Sequence, residues 1–330
     1  MSTLVVDRRK ADIEDDGDRL VVRVAGERVG TVPLAPLDRV ILPASARIGT
    51  RLLARLWRDG IGVLILSGRR RLPTVALQSR KAGDWRLQQA QLRAQDDAPF
   101  RDAVGRDLVV AKLAGQARLL AELDGGVKAV RSARRRLDAA MTEIGRALPP
   151  RHSLLGIEGA AAAAYFAALA AALPAALDFS GRNRRPPEDP VNVCLSLGYT
   201  LLHAEAIRTA AAHGLDPELG LYHEPRPGRA SLASDLIEPL RPALDRWAIG
   251  QFRGGLLRPE HFSKRGSGCL MGKAGRKLYY RGFEDAAPPW RRLLRRMAHR
   301  LAGELRRRHD GGQPAAVARQ AQQRHLPEPE

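Results

Sequence analysis

Cysteine is nearly absent from the 330-residue chain: only Cys194 and Cys269 occur, far apart and without neighbouring metal-ligand residues. That excludes a disulfide framework or a zinc ribbon, and both thiols read as small buried hydrophobes suited to a reducing compartment. No Gly-rich loop closed by Lys-Ser/Thr is present, nor a strand-linked dinucleotide fingerprint, so hydrolysis of nucleoside triphosphates is not expected. Long apolar runs are lacking too. The segment Ala160 to Leu177 alone approaches the roughly 18 residues of a bilayer span, but it is mostly alanine and contains Pro174. It reads as a buried helix and not as a membrane span. Met1 to Lys10 holds no apolar core of signal-peptide length, so the expected location is the cytoplasm, with no membrane partner.

Acids are short relative to bases, with 36 Asp and Glu against 55 Lys and Arg, a formal charge of +19. Lysine is scarce among the bases, at seven of the 55. A codon bias toward arginine and alanine explains which cation is used, but less readily why acids fail to balance it. Such a charge attracts phosphate polyanions, and nucleic acid is the leading partner.

The length suits two folding units. The first hundred residues read as mostly β, with strands at Leu4 to Val6, Leu20 to Ala25, Arg28 to Leu34, Val40 to Leu42 and the fully apolar Gly62 to Leu66. One helix, Arg51 to Asp59, interrupts them, with Leu52, Leu53, Leu56 and Trp57 on one face and a stop at Gly60. Polarity rises at Gln95-Asp96-Asp97. Beyond it helical periods dominate: Val109 to Leu123, Val127 to Ala147, Gly159 to Leu173 and Val191 to Ala212, which stops at Gly214. Ser180 to Pro190 reads as a mobile loop, and Asp310 to Glu330, which has no period, as a disordered tail. The expectation is an α+β protein: a β-rich unit over 1–95, an almost wholly α unit over 96–309 and a disordered tail over 310–330.

Three segments carry candidate chemistry. Glu158 lies between Gly156 and Gly159 at the head of an apolar helix, where a carboxylate favoured by the helix dipole is the simpler reading. His223 ends the run Gly214-Leu215-Asp216-Pro217-Glu218-Leu219-Gly220-Leu221-Tyr222, and a lone histidine there is more often structural. Asp235 and Glu238 are three apart, so a helix would set them on one face beside Leu232, Leu236 and Leu240. Two carboxylates near a histidine compose a divalent-metal donor set.

At these residues the sequence becomes specific. Asn192, Leu195, Gly198-Tyr199, Leu201-Leu202, Gly214-Leu215-Asp216-Pro217, Gly220, His223, Gly228-Arg229, Ser231-Leu232, Asp235-Leu236, Glu238-Pro239 and Arg241-Pro242 together strongly resemble the CRISPR-associated endonuclease and integrase of spacer acquisition. Glu158-Gly159 with Tyr165-Phe166 is similar to that family's other acidic motif, and Gly268 to Glu284 to its C-terminal segment.

The resemblance implies an N-terminal β-sandwich-like domain used in dimerisation, followed by a larger all-α catalytic domain. It carries the metal ligands and catalytic groups onto Glu158, His223 and Glu238, with Asp235 as an assisting carboxylate. Nitrogen in the donor set suits Mn²⁺ as well as Mg²⁺. The implied reaction is attack of a 3′-hydroxyl on a phosphodiester, inserting protospacer DNA into the CRISPR repeat array, with water as the nucleophile for cleavage. The implied assembly is a homodimer joined by the second CRISPR-associated adaptation protein into a heterohexamer. Arg182, Arg184 and Arg185 in the loop, Arg226 and Arg229 beside the site, and Arg291, Arg292, Arg295 and Arg296 on the last helix are the candidates for holding DNA phosphates. Two other readings remain open on sequence: a nuclease that repairs branched DNA, and an architectural DNA-binding protein whose acids are helix caps or ion-pair partners.

Overall fold

A computed structural model describes residues 2–8, 10–66, 74–77, 84–183 and 186–311. Among these residues, β1 (Ser2–Val5), β5 (Leu37–Pro43), β7 (Gly62–Leu66) and β8 (Val75–Leu77) form one sheet in that order. β1, β5 and β7 run parallel, and β8 pairs antiparallel to β7. A second sheet is ordered β4 (Glu27–Pro33), β3 (Arg19–Val24), β2 (Ala11–Asp16) and β6 (Arg47–Ile48), its first three strands an antiparallel meander.

Side chains alternate across a strand, and this explains why Gly62 to Leu66 is apolar throughout. Val40, Leu42 and Val63 enter a core shared with Ala11, Ile13, Leu20 and Val22 of the second sheet and with Leu52 and Leu56 of α1 (Thr50–Arg58). Ile41 and Leu64, pointing the other way, join the core of the helices. One sheet therefore has both faces buried, and its strands lose the polar positions that a half-exposed strand would keep.

The helical part comprises α2 (Trp85–Arg93), α3 (Ala98–Glu122), α4 (Lys128–Ala147), α5 (Arg151–Ala172), α6 (Pro190–Ala212), α7 (Ser231–Ile237), α8 (Arg241–Arg253) and α9 (Lys273–Gly311). Leu87, Ala90 and Ala94 of the α2 region belong to the helical core, so that core begins ahead of the boundary read near residue 95. This part is not wholly α: β9 (Phe262–Arg265) and β10 (Gly268–Met271) form a hairpin, with Cys269 packed beside α6 and Cys194 buried within it. α9 runs on to Gly311, past the start of the expected tail, and 312–330 lie outside the described residues.

α5 begins earlier than its apolar pattern suggests. Pro149 and Pro150 end the preceding helix, whose C-cap Leu148 takes φ 45°, and Asp102 accepts the first N–H of the new one, from Arg151 at 2.9 Å. Glu158 is consequently two turns inside α5 and not at its head. Among the described residues α5 is the one helix whose length and composition would let it cross a membrane, and core helices pass the same test. It is buried on one face only, by Leu154, Ala161, Tyr165, Ala168 and Leu169; Gly156, Gly159 and Ala160 are exposed.

The two parts are joined by buried charge. Arg39 of β5 places Nη2 2.7 Å from Glu284 Oε1 of α9, and its Nη1 lies 2.9 Å from Glu205 Oε1 of α6 without hydrogen-bond alignment. Arg291 of α9 meets both acids, at 2.6 and 2.8 Å. Burial alone would raise the Glu205 pKa, but Arg39, Arg291 and Arg208 overcome it and hold the carboxyl at about 2.

Candidate metal-dependent active site

The site gathers side chains from α3, α5, the 213–230 loop, α7 and the 3₁₀ turn Glu238–Leu240 that follows it. The loop carrying His223 is pinned at several points. The buried Gln91 amide donates to the carbonyls of Asp216 and Leu219, at 2.8 and 2.9 Å, and accepts from Asp216 N at 2.9 Å. Arg151 Nη1 donates to Tyr222 O, and Ser231 Oγ to Glu224 O. At Gly220 the chain passes so close to itself that a Cβ would lie 2.5 Å from His223 O and 2.8 Å from backbone and Cβ of Ser231.

Asp235, on α7, is the hub of this loop. Its Oδ2 accepts the N–H groups of Leu221 (2.6 Å) and Tyr222 (3.0 Å), and its Oδ1 those of His223 backbone (2.8 Å) and imidazole Nδ1 (2.7 Å). A carboxylate only accepts, so Nδ1 carries the proton and Nε2 keeps its lone pair. Nε2 lies 4.0 Å from Glu238 Oε1. Both Asp235 oxygens are thus engaged, each by two N–H donors of this loop.

Glu158 and Glu238 converge on a residue that sequence reading missed. Lys112 of α3 places its Nζ against Glu158 Oε1 and 2.6 Å from Glu238 Oε2. Glu158 Oε2 accepts from the buried Tyr222 hydroxyl at 2.7 Å, and Glu238 Oε1 from Arg241 Nε at 2.8 Å. Glu238 is 3% exposed; burial raises its pKa, but Arg241 and Lys112 outweigh that and hold it at about 2. Burial lowers the Lys112 pKa, and Glu238 and Glu158 reverse the shift to a net rise. Arg241 is itself stacked 4.6 Å over the Tyr199 ring. Beneath it Tyr165 (2.9 Å) and Tyr199 donate to Asp245, whose carboxyl burial pushes up to about 6 against those hydrogen bonds.

Among the described residues no three His, Cys, Asp or Glu side chains already stand in metal-holding geometry. The donor chemistry nonetheless fits a divalent cation: two carboxylates that meet at one positive charge, the Lys112 ammonium, and an imidazole whose Nε2 lies 4.0 Å from one of them. One signal of Lys112 was present in the sequence, a scarce lysine inside the apolar run Leu108-Val109-Val110-Ala111-Lys112-Leu113.

The candidate phosphate contacts divide. Arg226 and Arg229 face each other across a bridge in the turn after His223 and are exposed, as are Arg292, Arg295 and Arg296 on α9. Arg291 is a correction: it is 6% exposed and tied to Glu205 and Glu284. Arg182 is also engaged inward, by Asn192 Oδ1 (2.7 Å), Ser196 Oγ (3.1 Å) and the Tyr199 ring (5.5 Å). Arg184 and Arg185 lie outside the described residues.

The sequence profile of the family described as CRISPR associated protein Cas1 matches residues 4–285. The CRISPR-associated endonuclease Cas1 1 of Thermodesulfovibrio yellowstonii is 34% identical over 315 residues, 92% of this chain and 98% of that protein. A CRISPR-associated exonuclease Cas4/endonuclease Cas1 fusion of Geobacter sulfurreducens is 35% identical over 85% of this chain, which spans 52% of the fusion. Among solved structures, a Cas6-RT-Cas1–Cas2 complex aligns with a TM-score of 0.82 at 26% identity, covering 93% of this chain and 35% of that one. A CAS1 protein from Thermotoga maritima aligns at 0.79 and 20% identity, covering 92% of this chain and 97% of that one, and so bears on the fold.

Proposed function

Since the chain belongs to the Cas1 family of CRISPR-associated proteins, we propose that it is a metal-dependent DNA endonuclease and integrase of CRISPR adaptation. It joins protospacer DNA to the CRISPR repeat by attack of a 3′-hydroxyl on a phosphodiester, and water in the same position gives cleavage. The observation that carries this reading is that Glu158 and Glu238, from separate segments, meet at one ammonium, with His223 Nε2 4.0 Å from the other oxygen of Glu238.

Glu158, His223 and Glu238 would hold Mn²⁺ or Mg²⁺, which when bound supplies charge to polarise the scissile phosphate. The remaining work belongs to the chain itself. Asp235 fixes the imidazole so that Nε2 faces Glu238. Tyr222 and Arg241 each engage one oxygen of Glu158 or Glu238 and so set the direction of the other. Arg226 and Arg229 in the turn after His223, with Arg292, Arg295 and Arg296 on α9, are placed to meet DNA phosphates without reading bases. The architectural reading accounts for ion-paired acids but gives no reason for an imidazole that Asp235 orients toward Glu238.

The β-rich part, whose described residues hold no cluster of His, Cys, Asp and Glu fit for a metal ion, is the proposed dimer contact. A dimer of the second adaptation protein bridges two such dimers into the heterohexamer, in the cytoplasm. The test is joining of a 3′-hydroxyl oligonucleotide to supercoiled plasmid by Glu158→Ala, His223→Ala and Glu238→Ala, beside gel shifts on the same variants. Each is expected to abolish strand transfer and keep DNA affinity; full transfer by His223→Ala overturns the reading.

A further inference from the structure

The geometry points to Lys112 as the resident counter-cation of this site, a charge that an incoming divalent ion must displace from between Glu158 and Glu238. The inference rests on the reading above that Glu158, His223 and Glu238 take such an ion, and it goes beyond it by assigning a competitor built into the fold.

Lys112 is 7% exposed on α3 and touches both acids, so one ammonium is shared by two carboxylates that come from different helical segments. Among the described residues, the other ion pairs except Lys264–Asp178 and those of His223 are formed by arginine. Its planar fork meets one carboxylate well, whereas an ammonium is a compact point charge on a flexible stem and can sit at a single point between two acids, as a metal ion does. Removing that charge leaves two carboxylates facing one another with reduced screening, an arrangement that calls for another cation. Arg241 does not share the role. It contacts Glu238 alone and is held by the Tyr199 ring, so it stays while Lys112, with four rotatable carbons, withdraws.

A competitor inside the site has a consequence opposite in sign to that of a structural lysine. Replacing a merely structural lysine weakens the site and its affinity for metal. Replacing the counter-cation removes both the competition and the repulsion felt by the entering ion, so affinity rises. Lys112→Met keeps the apolar stem, and it is expected to bind Mn²⁺ about tenfold or more tightly than the unaltered protein, since two carboxylates left without their ammonium favour an entering cation.

The experiment is titration of the full chain with Mn²⁺ alone, followed by calorimetry and by the electron paramagnetic resonance of free Mn²⁺, for the unaltered protein, Lys112→Met and Lys112→Met/Glu238→Gln. Thermal melting is run with and without Mn²⁺. Tighter Mn²⁺ binding by Lys112→Met, a lower melting temperature without metal, a larger rise with it, and loss of the gain in the double variant support the inference. If the unaltered protein binds Mn²⁺ and Lys112→Met binds it equally or more weakly, Lys112 is not a competitor, although the metal reading stands. Failure of Lys112→Met to fold even when refolded with Mn²⁺ also overturns it, because a divalent ion then cannot replace the ammonium. Absence of Mn²⁺ binding by both the unaltered protein and Lys112→Met brings down the metal reading and the inference together.

Discussion

A single oxygen of Asp235, Oδ1, accepts both the backbone N–H of His223, at 2.8 Å, and its ring Nδ1–H, at 2.7 Å. The same side chain thus folds the loop and chooses the imidazole tautomer. Asp235→Ala leaves three buried backbone N–H groups without their acceptor, at about 1–3 kcal/mol each. The expected result is a destabilisation of about 3 kcal/mol or more, with strand transfer lost and not restored by added Mn²⁺. Urea unfolding beside the plasmid-joining assay checks this. A mild loss rescued by Mn²⁺ would return Asp235 to the assisting-ligand role that the sequence suggested.

Gly220 tests the same loop from the backbone side. A methyl group there meets His223 O at 2.5 Å and Ser231 at 2.8 Å, atoms that cannot swing away like a side-chain end. Gly220→Ala is expected to cost about 1–3 kcal/mol as overpacking and to displace His223, abolishing strand transfer while DNA affinity remains. Unchanged activity would show that the loop shifts freely.

Much of this was legible in the sequence, for a physical reason. Gly198 and Gly220 belong to the recognised motif and sit where a Cβ would clash, whereas Glu158, His223 and Glu238 are singled out by the resemblance and not by their local surroundings. Helices with caps or stops were placed within a few residues, as with Pro190–Ala212 before Gly214. Contacts between distant segments were not legible. Nothing local tells that Asp102 starts α5 or that Lys112 reaches across 126 positions of chain to Glu238. For the same reason Arg291 read as a surface cation: its partners Glu205 and Glu284 are identified only once α6 and α9 pack together.

The Glu205 network sets an acid limit on stability. Its folded pKa of about 2 lies below the ordinary 4.5. Folding is therefore favoured by its ionised form: the contribution is complete above pH 4.5 and is lost as pH falls toward 2. Glu205→Gln leaves Arg39, Arg291 and Arg208 facing a neutral group and is expected to cost about 3–5 kcal/mol at pH 7. The gap between the two proteins should narrow as pH drops through that window. Urea unfolding from pH 7 downward measures it, and a gap independent of pH would remove Glu205 from the acid response.

The arginines make the most direct statement about partner binding, because the structure separates two sets of chemically identical side chains. Arg292, Arg295 and Arg296 are exposed on α9, whereas Arg182 and Arg291 are held by neighbours within the protein. Only an exposed guanidinium can displace condensed counterions from DNA, and each phosphate contact contributes about 0.9 to the slope of log affinity against log salt. Replacing Arg292, Arg295 and Arg296 together by alanine is expected to weaken DNA binding at low salt and to reduce that slope by up to ~2.7, with thermal stability unchanged. Arg291→Ala should do the reverse, lowering the melting temperature through the lost pairing to Glu205 and Glu284 while leaving the slope of the folded protein as it was. Fluorescence anisotropy of labelled duplex across a salt series, beside melting curves, distinguishes the two. An unaltered slope in the triple variant would show that α9 presents its charge to solvent alone, and that the phosphate contacts lie with Arg226 and Arg229 next to the site.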